Sequence, residues 1–122
     1  MSTLPSVNRS LIIIRAREPM VKWLHGLPDR SETEKRSPIT LEELNTDNAA
    51  YLTPEFESDE ELAEYLDAAW KPLFEEILEG WSTHEPWWPK GRSRKMFDAW
   101  FEVTMHSVVY DTNFNDELEH LD

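Results

Sequence analysis

The feature of this sequence that most constrains its fold is an apolar pattern of helical period between residues 62 and 81. Ser58 and Glu61 just before it have the spacing of a capping box, which marks the start of a helix. The pattern predicts an amphipathic helix from Asp59 to Gly80, long enough to cross a small domain and wide enough on its apolar face to require a core. The residues on that face are Leu62, Tyr65, Leu66, Ala69, Trp70, Leu73, Phe74, Ile77, Leu78 and Trp81.

A proline interrupts this helix without interrupting its pattern. Pro72 lacks the N–H that would pair with the Ala68 carbonyl, and its ring disfavours helical geometry at Lys71. Because the apolar residues stay in phase on both sides of Pro72, we expect one helix that bends near Trp70.

Shorter patterns flank the long helix. β-Branched or alternating apolar runs predict three strands, and helix-capping residues predict three short helices around them. A Pro- and charge-rich stretch, Leu27 to Pro38, is expected to be an exposed loop. The sequence therefore predicts an α+β fold in which a small sheet of about three strands packs on a long bent helix and shorter helices, with strand directions left open. The strands are Ser10 to Ala16, Ala49 to Thr53 and Phe101 to Val109, and the short helices are Glu18 to Gly26, one turn after Thr40, and one after Ser93.

The length of 122 residues is typical of one domain, and we expect residues 1–9 and 112–122 to be flexible tails. The chain contains no cysteine, which excludes disulfides, cysteine-based zinc sites and a thiol nucleophile. Its first residues lack the basic and apolar regions of a signal peptide. These features favour a cytoplasmic protein.

The net charge of −13 is concentrated in one part of the chain. The stretch from Glu42 to Glu85 contains fourteen acidic side chains and one basic side chain, Lys71. Such a surface repels nucleic acid and anionic membranes and attracts basic partners, so a basic protein is the partner we expect. Five carboxylates of the predicted long helix lie opposite its apolar face and are called here the acidic helix face: Glu60, Glu64, Asp67, Glu75 and Glu79.

The acidic helix face has three interpretations. It is a candidate interaction surface for a protein partner. Its carboxylates also lie close to 6 Å apart, comparable with phosphates along a nucleic-acid strand, so a nucleic-acid mimic that inhibits a DNA-binding protein is an alternative. The third interpretation is a solvated outer face, since the exposed side of an amphipathic helix is usually charged.

The most site-like segment follows the long helix, runs from His84 to Arg94 and is called here the Trp-rich basic loop. Indole rings next to cationic groups bind anions and planar ligands, so these residues form a candidate small-molecule or enzyme site. The alternative is that the tryptophans cover one end of the core while the basic groups neutralise the acidic helix. The candidate ligand-binding residues are His84, Trp87, Trp88, Lys90, Arg92 and Arg94.

No pattern in the sequence specifies a reaction, a metal or a cofactor. His106 and Ser107 are adjacent in a predicted strand, where neighbouring side chains point to opposite faces, so they do not form a catalytic pair. His25, His84 and His120 have no partner at metal-ligand spacing. This favours a non-enzymatic protein-interaction module over an enzyme.

Several short motifs occur along the second part of the chain: Pro54-Glu-Phe56, the Phe74 to Trp81 helix end, Trp88-Pro89, Trp100-Phe101, His106-Ser107 and Asp111. Together they resemble the motifs of a group of small bacterial proteins of no assigned function. The resemblance covers most of the chain after Thr40 and implies no activity, so no functional residue is carried over from it.

Overall fold

A computed structural model describes residues 3–121 and shows a three-stranded sheet with helices packed against it. The predicted α+β fold is confirmed. The elements in chain order are β1 (Ser10–Ala16), α1 (Glu18–His25), α2 (Glu32–Arg36), α3 (Leu41–Leu44), β2 (Ala50–Thr53), α4 (Asp59–Glu79), a 3-10 turn (Glu85–Trp87), α5 (Arg94–Trp100) and β3 (Phe101–His106).

The first strand lies in the middle of the sheet, and the strand order is β2-β1-β3. Both neighbours run antiparallel to β1, with Ile12 opposite Tyr51 on one side and Met105 on the other. This arrangement settles the strand direction that the sequence left open. It also leaves β2 and β3 as the two edges of the sheet.

The core lies between one face of the sheet and the long helix. Ser10, Ile12 and Ile14 alternate along β1 and are buried, which places them on that face. Phe74 of α4 is fully buried, and its ring centroid lies 5.9 Å from that of Phe97 and 5.4 Å from that of Phe101. Such edge-to-face contacts add to the hydrophobic stabilisation of a core.

The long helix α4 forms as predicted and is continuous through Pro72. The Ser58 hydroxyl accepts a hydrogen bond from the Glu61 N–H at 3.2 Å, which satisfies one of the free donors of the first turn. The prediction that Trp81 belongs to the buried face is wrong, because its side chain is 46% exposed. The helix ends at Glu79, so Trp81 no longer follows the helical periodicity.

Two further predictions differ from the structure. The stretch predicted as a loop contains α2, which has no buried residue and starts where the Ser31 hydroxyl accepts from the Glu34 N–H. Because α2 has no buried face, it shows no apolar periodicity in the sequence. Its cap and local polar contacts stabilise it instead. The strand predicted to reach Val109 ends at His106, and the next residue, Ser107, lies in a bend. Its carbonyl accepts a hydrogen bond from Ser10 Oγ at 3.2 Å.

Across residues 3–121, none of the helices combines the length and the apolar character needed to cross a membrane.

Candidate functional site

The tryptophans of the Trp-rich basic loop hold the loop against the core. Trp88 is 6% exposed, and its indole N–H donates to the Ser82 carbonyl at 2.8 Å. Trp87 is half-buried, and its carbonyl accepts a hydrogen bond from the Trp23 indole N–H at 2.9 Å. The His84 ring packs edge-on against Trp87, with centroids 4.5 Å apart. A small cavity of about 280 Å³ lies between Trp87 and the end of α1.

The basic side chains of the loop make contacts within the chain. Arg92 donates to the Pro89 carbonyl at 2.9 Å and lies 3.8 Å from a Glu75 oxygen. Lys90 donates to the Pro86 carbonyl at 3.0 Å. These contacts use cationic groups that an anionic ligand would otherwise bind.

Arg94 connects α5 to the long helix. Its guanidinium forms ion pairs with Asp67 of α4 and with Asp98 of its own helix. The structure therefore brings the loop and the acidic helix face together, through Arg92 with Glu75 and Arg94 with Asp67. The other three carboxylates of that face make no ion pair within residues 3–121: Glu60, Glu64 and Glu79. The ligand role of the loop and the interaction role of the helix face stay predictions.

A larger cleft, of about 380 Å³, opens elsewhere on the molecule. It lies between the β2 side of the sheet and the C-terminal end of α4. Its lining includes the core residues Ile14, Met20 and Phe101, which give it an apolar floor. One wall is the segment 44–51, and the other is the segment 76–81 with the half-exposed indole of Trp81. The volume lies in the usual range of ligand sites, and an apolar lining with few polar groups is typical of them.

The charged groups of this cleft are all acidic. Asp47 and Glu76 supply two carboxylates, and none of the residues lining the cleft in the described chain is Lys, Arg or His. Burial raises the pKa of the Tyr51 hydroxyl above its ordinary value, and the nearby charge of Glu76 raises this pKa further. Burial disfavours a charge of either sign, whereas the Glu76 charge disfavours only a further negative one. The two carboxylates, and not the burial, therefore favour a positively charged ligand.

A pair of hydrogen bonds fixes the wall formed by residues 44–51. The Asn45 side chain accepts from the Ala16 N–H at 2.9 Å and donates to the Ala16 carbonyl at 3.0 Å, which continues the backbone pairing at the end of β1. Asn48 donates to the Asn45 carbonyl at 3.2 Å. At the other end of α3, the Thr40 hydroxyl accepts from the Glu43 N–H at 3.1 Å. The cleft is thus bounded by anchored backbone.

Sequence reasoning did not find this cleft. Its residues come from β1, the turn after α3, β2 and the end of α4, and only the antiparallel pairing of β1 with β2 brings them together. The sequence contains one indication of the cleft, which is the position of Glu76. This carboxylate lies at the margin of the apolar helix face and does not belong to the acidic helix face. Trp81 continues the helical pattern, which is why the sequence predicts it in the core.

No protein-family model, curated protein or solved structure matches this chain. Among residues 3–121, no three His, Asp or Glu side chains are grouped so that they could hold a metal ion.

Proposed function

We propose that this chain is a non-enzymatic protein-interaction module that binds a lysine or arginine side chain of a partner protein in the cleft between β2 and the end of α4. The observation that carries the proposal is the composition of the cleft: an apolar floor, two carboxylates, and no cationic residue among those of residues 3–121 that line it. A basic side chain matches both parts, because its aliphatic stem packs on apolar surface while its charged end stays with polar groups.

Three groups of the cleft suit the charged end of such a side chain. The carboxylates of Asp47 and Glu76 supply charge-assisted hydrogen bonds. The exposed indole of Trp81 offers a ring face to an ammonium or guanidinium group, and Trp is the strongest partner for such contacts. The acidic stretch from Glu42 to Glu85 contains both carboxylates, so the surrounding field attracts a basic partner before contact is made.

The test is a titration of isotope-labelled protein, followed by nuclear magnetic resonance, with two short neutral-capped peptides that differ in one residue. One peptide carries a central lysine, and the other carries norleucine, which has the same stem without the charge. We expect the lysine peptide to shift the signals of Tyr51, Glu76 and the Trp81 indole in a saturable way. The norleucine peptide should bind more weakly, because it lacks the partner for the carboxylates.

Two Glu→Gln variants, each of which removes one negative charge, distinguish the effect of the cleft from that of the overall acidity of the chain. Glu76→Gln removes a carboxylate from the cleft, whereas Glu79→Gln removes one from the same helix outside the cleft. We expect a large loss of affinity for the lysine peptide in the first variant and a small one in the second. Equal losses, or equal binding of the lysine and norleucine peptides, would contradict the proposal.

A further inference from the structure

The strand β3 forms an open edge of the sheet. It is six residues long and contains no proline and no lysine, the residues that commonly protect an edge from pairing with another strand. Its continuous pairing with β1 ends where His106 lies opposite Leu11, and pairing with the amino-terminal segment resumes at the isolated bridge between Ser6 and Tyr110. The other edge, β2, has four residues and borders the cleft.

The hydrogen-bond pattern identifies the backbone groups that point away from the sheet. The Arg17 N–H donates to the Trp100 carbonyl at 2.7 Å, and hydrogen-bonded pairs alternate along an antiparallel ladder. Glu102, Thr104 and His106 therefore exchange hydrogen bonds with β1. The N–H and C=O groups of Val103 and Met105 face the open edge, and no hydrogen bond outside the β1–β3 ladder in residues 3–121 uses them.

We propose that β3 pairs with β3 of a second copy of this chain, antiparallel about a two-fold axis at Thr104, to form a continuous six-stranded sheet. In this register Val103 lies opposite Met105 of the second copy, and the edge groups form about four hydrogen bonds. A register centred on Val103 would require the Phe101 N–H, which already donates to the Phe97 carbonyl within the chain. A register centred on Met105 would run into the bend at Ser107.

The side chains of the outer sheet face agree with the same register. Glu102 and His106 are both exposed, and the two-fold axis places each opposite the other residue of the second copy. Glu102 also lies opposite Arg15 of β1, with which it forms no ion pair within the described chain. This register keeps the two Glu102 carboxylates apart, whereas two acids directly opposite each other would repel.

Because of the net charge, pairing of two copies should depend on salt in the opposite way from ligand binding in the cleft. Two chains of charge −13 repel each other, so added salt screens the repulsion and strengthens pairing. Binding of a basic group in the acidic cleft should instead weaken with salt. The two proposals therefore fail or succeed independently.

A disulfide test uses the absence of cysteine from the natural chain. Thr104→Cys places two thiols at a non-hydrogen-bonded pair on the axis, where the Cα atoms lie about 4.5 Å apart, within disulfide range. Glu102→Cys is the control, because the register separates it from its own copy by about 13 Å along the strand. Under mild oxidation we expect rapid covalent dimer from Thr104→Cys and little from Glu102→Cys. A mixture of Glu102→Cys with His106→Cys should give the mixed dimer.

Sedimentation of the cysteine-free protein provides the second measurement. We expect its average mass to rise with concentration and with salt. Thr104→Lys places two ammonium groups next to each other on the axis, so we expect this variant to stay monomeric. Its circular dichroism spectrum should be unchanged. Equal cross-linking of the two cysteine variants would overturn the proposal. A monomeric wild type up to about 1 mM, the weak end of specific association, would overturn it as well.

Discussion

The guanidinium of Arg92 lies over the indole ring of Trp88, with its central carbon 5.5 Å from the ring centroid. The Trp88 indole is buried, and a carboxylate oxygen of Glu75 in the long helix lies 3.8 Å from the guanidinium. Arg92 thus joins the Trp-rich basic loop to α4 through one side chain. This position links the loop and the acidic helix face as parts of one packed structure.

We predict that Arg92→Gln lowers the free energy of unfolding by about 1 kcal/mol, through loss of the contact with Trp88. The control is Lys90→Gln, which removes the same charge from the same loop but only an exposed bond to the Pro86 carbonyl. That change should stay within about 0.5 kcal/mol of wild type. Denaturant unfolding measures both, and an equal effect of the two variants would show that Arg92 acts only through its charge.

A second prediction concerns two tryptophans in different environments. Trp88→Phe removes the indole N–H that donates to the Ser82 carbonyl in the core, and an unsatisfied buried acceptor typically costs about 1–3 kcal/mol. Trp81→Phe changes a half-exposed rim residue and should alter stability by less than about 0.5 kcal/mol. Thermal unfolding of the two variants is the measurement. A stable Trp88→Phe protein would contradict the structural role of Trp88 as a cover of the core.

The difference between these tryptophans shows what the sequence could and could not predict. The long helix was predictable because its period and its Ser58 cap are local signals. The exposure of Trp81 was not predictable, because it depends on where the helix ends relative to the rest of the fold. The strand directions and the cleft depend on the pairing of β1 with β2, whose partners Ile12 and Tyr51 are far apart in the chain. No local pattern carries that information.

The raised pKa of Tyr51 predicts a pH dependence of stability. Burial, and then the charge of Glu76, makes the Tyr51 phenol harder to ionise in the folded chain. Its pKa there lies above the ordinary value of 10.0, which applies to the unfolded chain. Above that pH the unfolded state binds fewer protons than the folded state, so the free energy of unfolding falls as pH rises. The contribution is complete below the ordinary pKa and is lost as pH rises through the raised pKa.

Tyr51→Phe isolates this contribution. We expect wild type to lose stability more steeply than Tyr51→Phe as pH rises above 10.0, because the two proteins share every other ionisable group. Glu76→Gln should move the tyrosinate absorbance transition of Tyr51 toward lower pH, since one cause of the shift is removed. Parallel stability curves for wild type and Tyr51→Phe would show that Tyr51 titrates as it does in the unfolded chain.

The last prediction concerns Asn45, whose side chain joins the α3 wall of the cleft to β1 by two hydrogen bonds with Ala16. Asn45→Ala removes both bonds without changing the charge of the cleft. We expect it to lower the free energy of unfolding by about 1–3 kcal/mol, because it leaves part-buried backbone groups without their partner. We also expect weaker binding of the lysine peptide, since Asp47 and Tyr51 follow Asn45 in the wall that becomes less ordered.

The matched control is Thr46→Ala, the neighbouring residue, whose hydroxyl donates only to the Glu42 carbonyl within the exposed end of α3. It should bind the lysine peptide like wild type and unfold within about 0.5 kcal/mol of it. Calorimetric unfolding and the peptide titration are measured on the same samples. If Asn45→Ala were destabilised but bound the peptide with unchanged affinity, the cleft would not depend on this anchor, because the carboxylates would keep their positions without it.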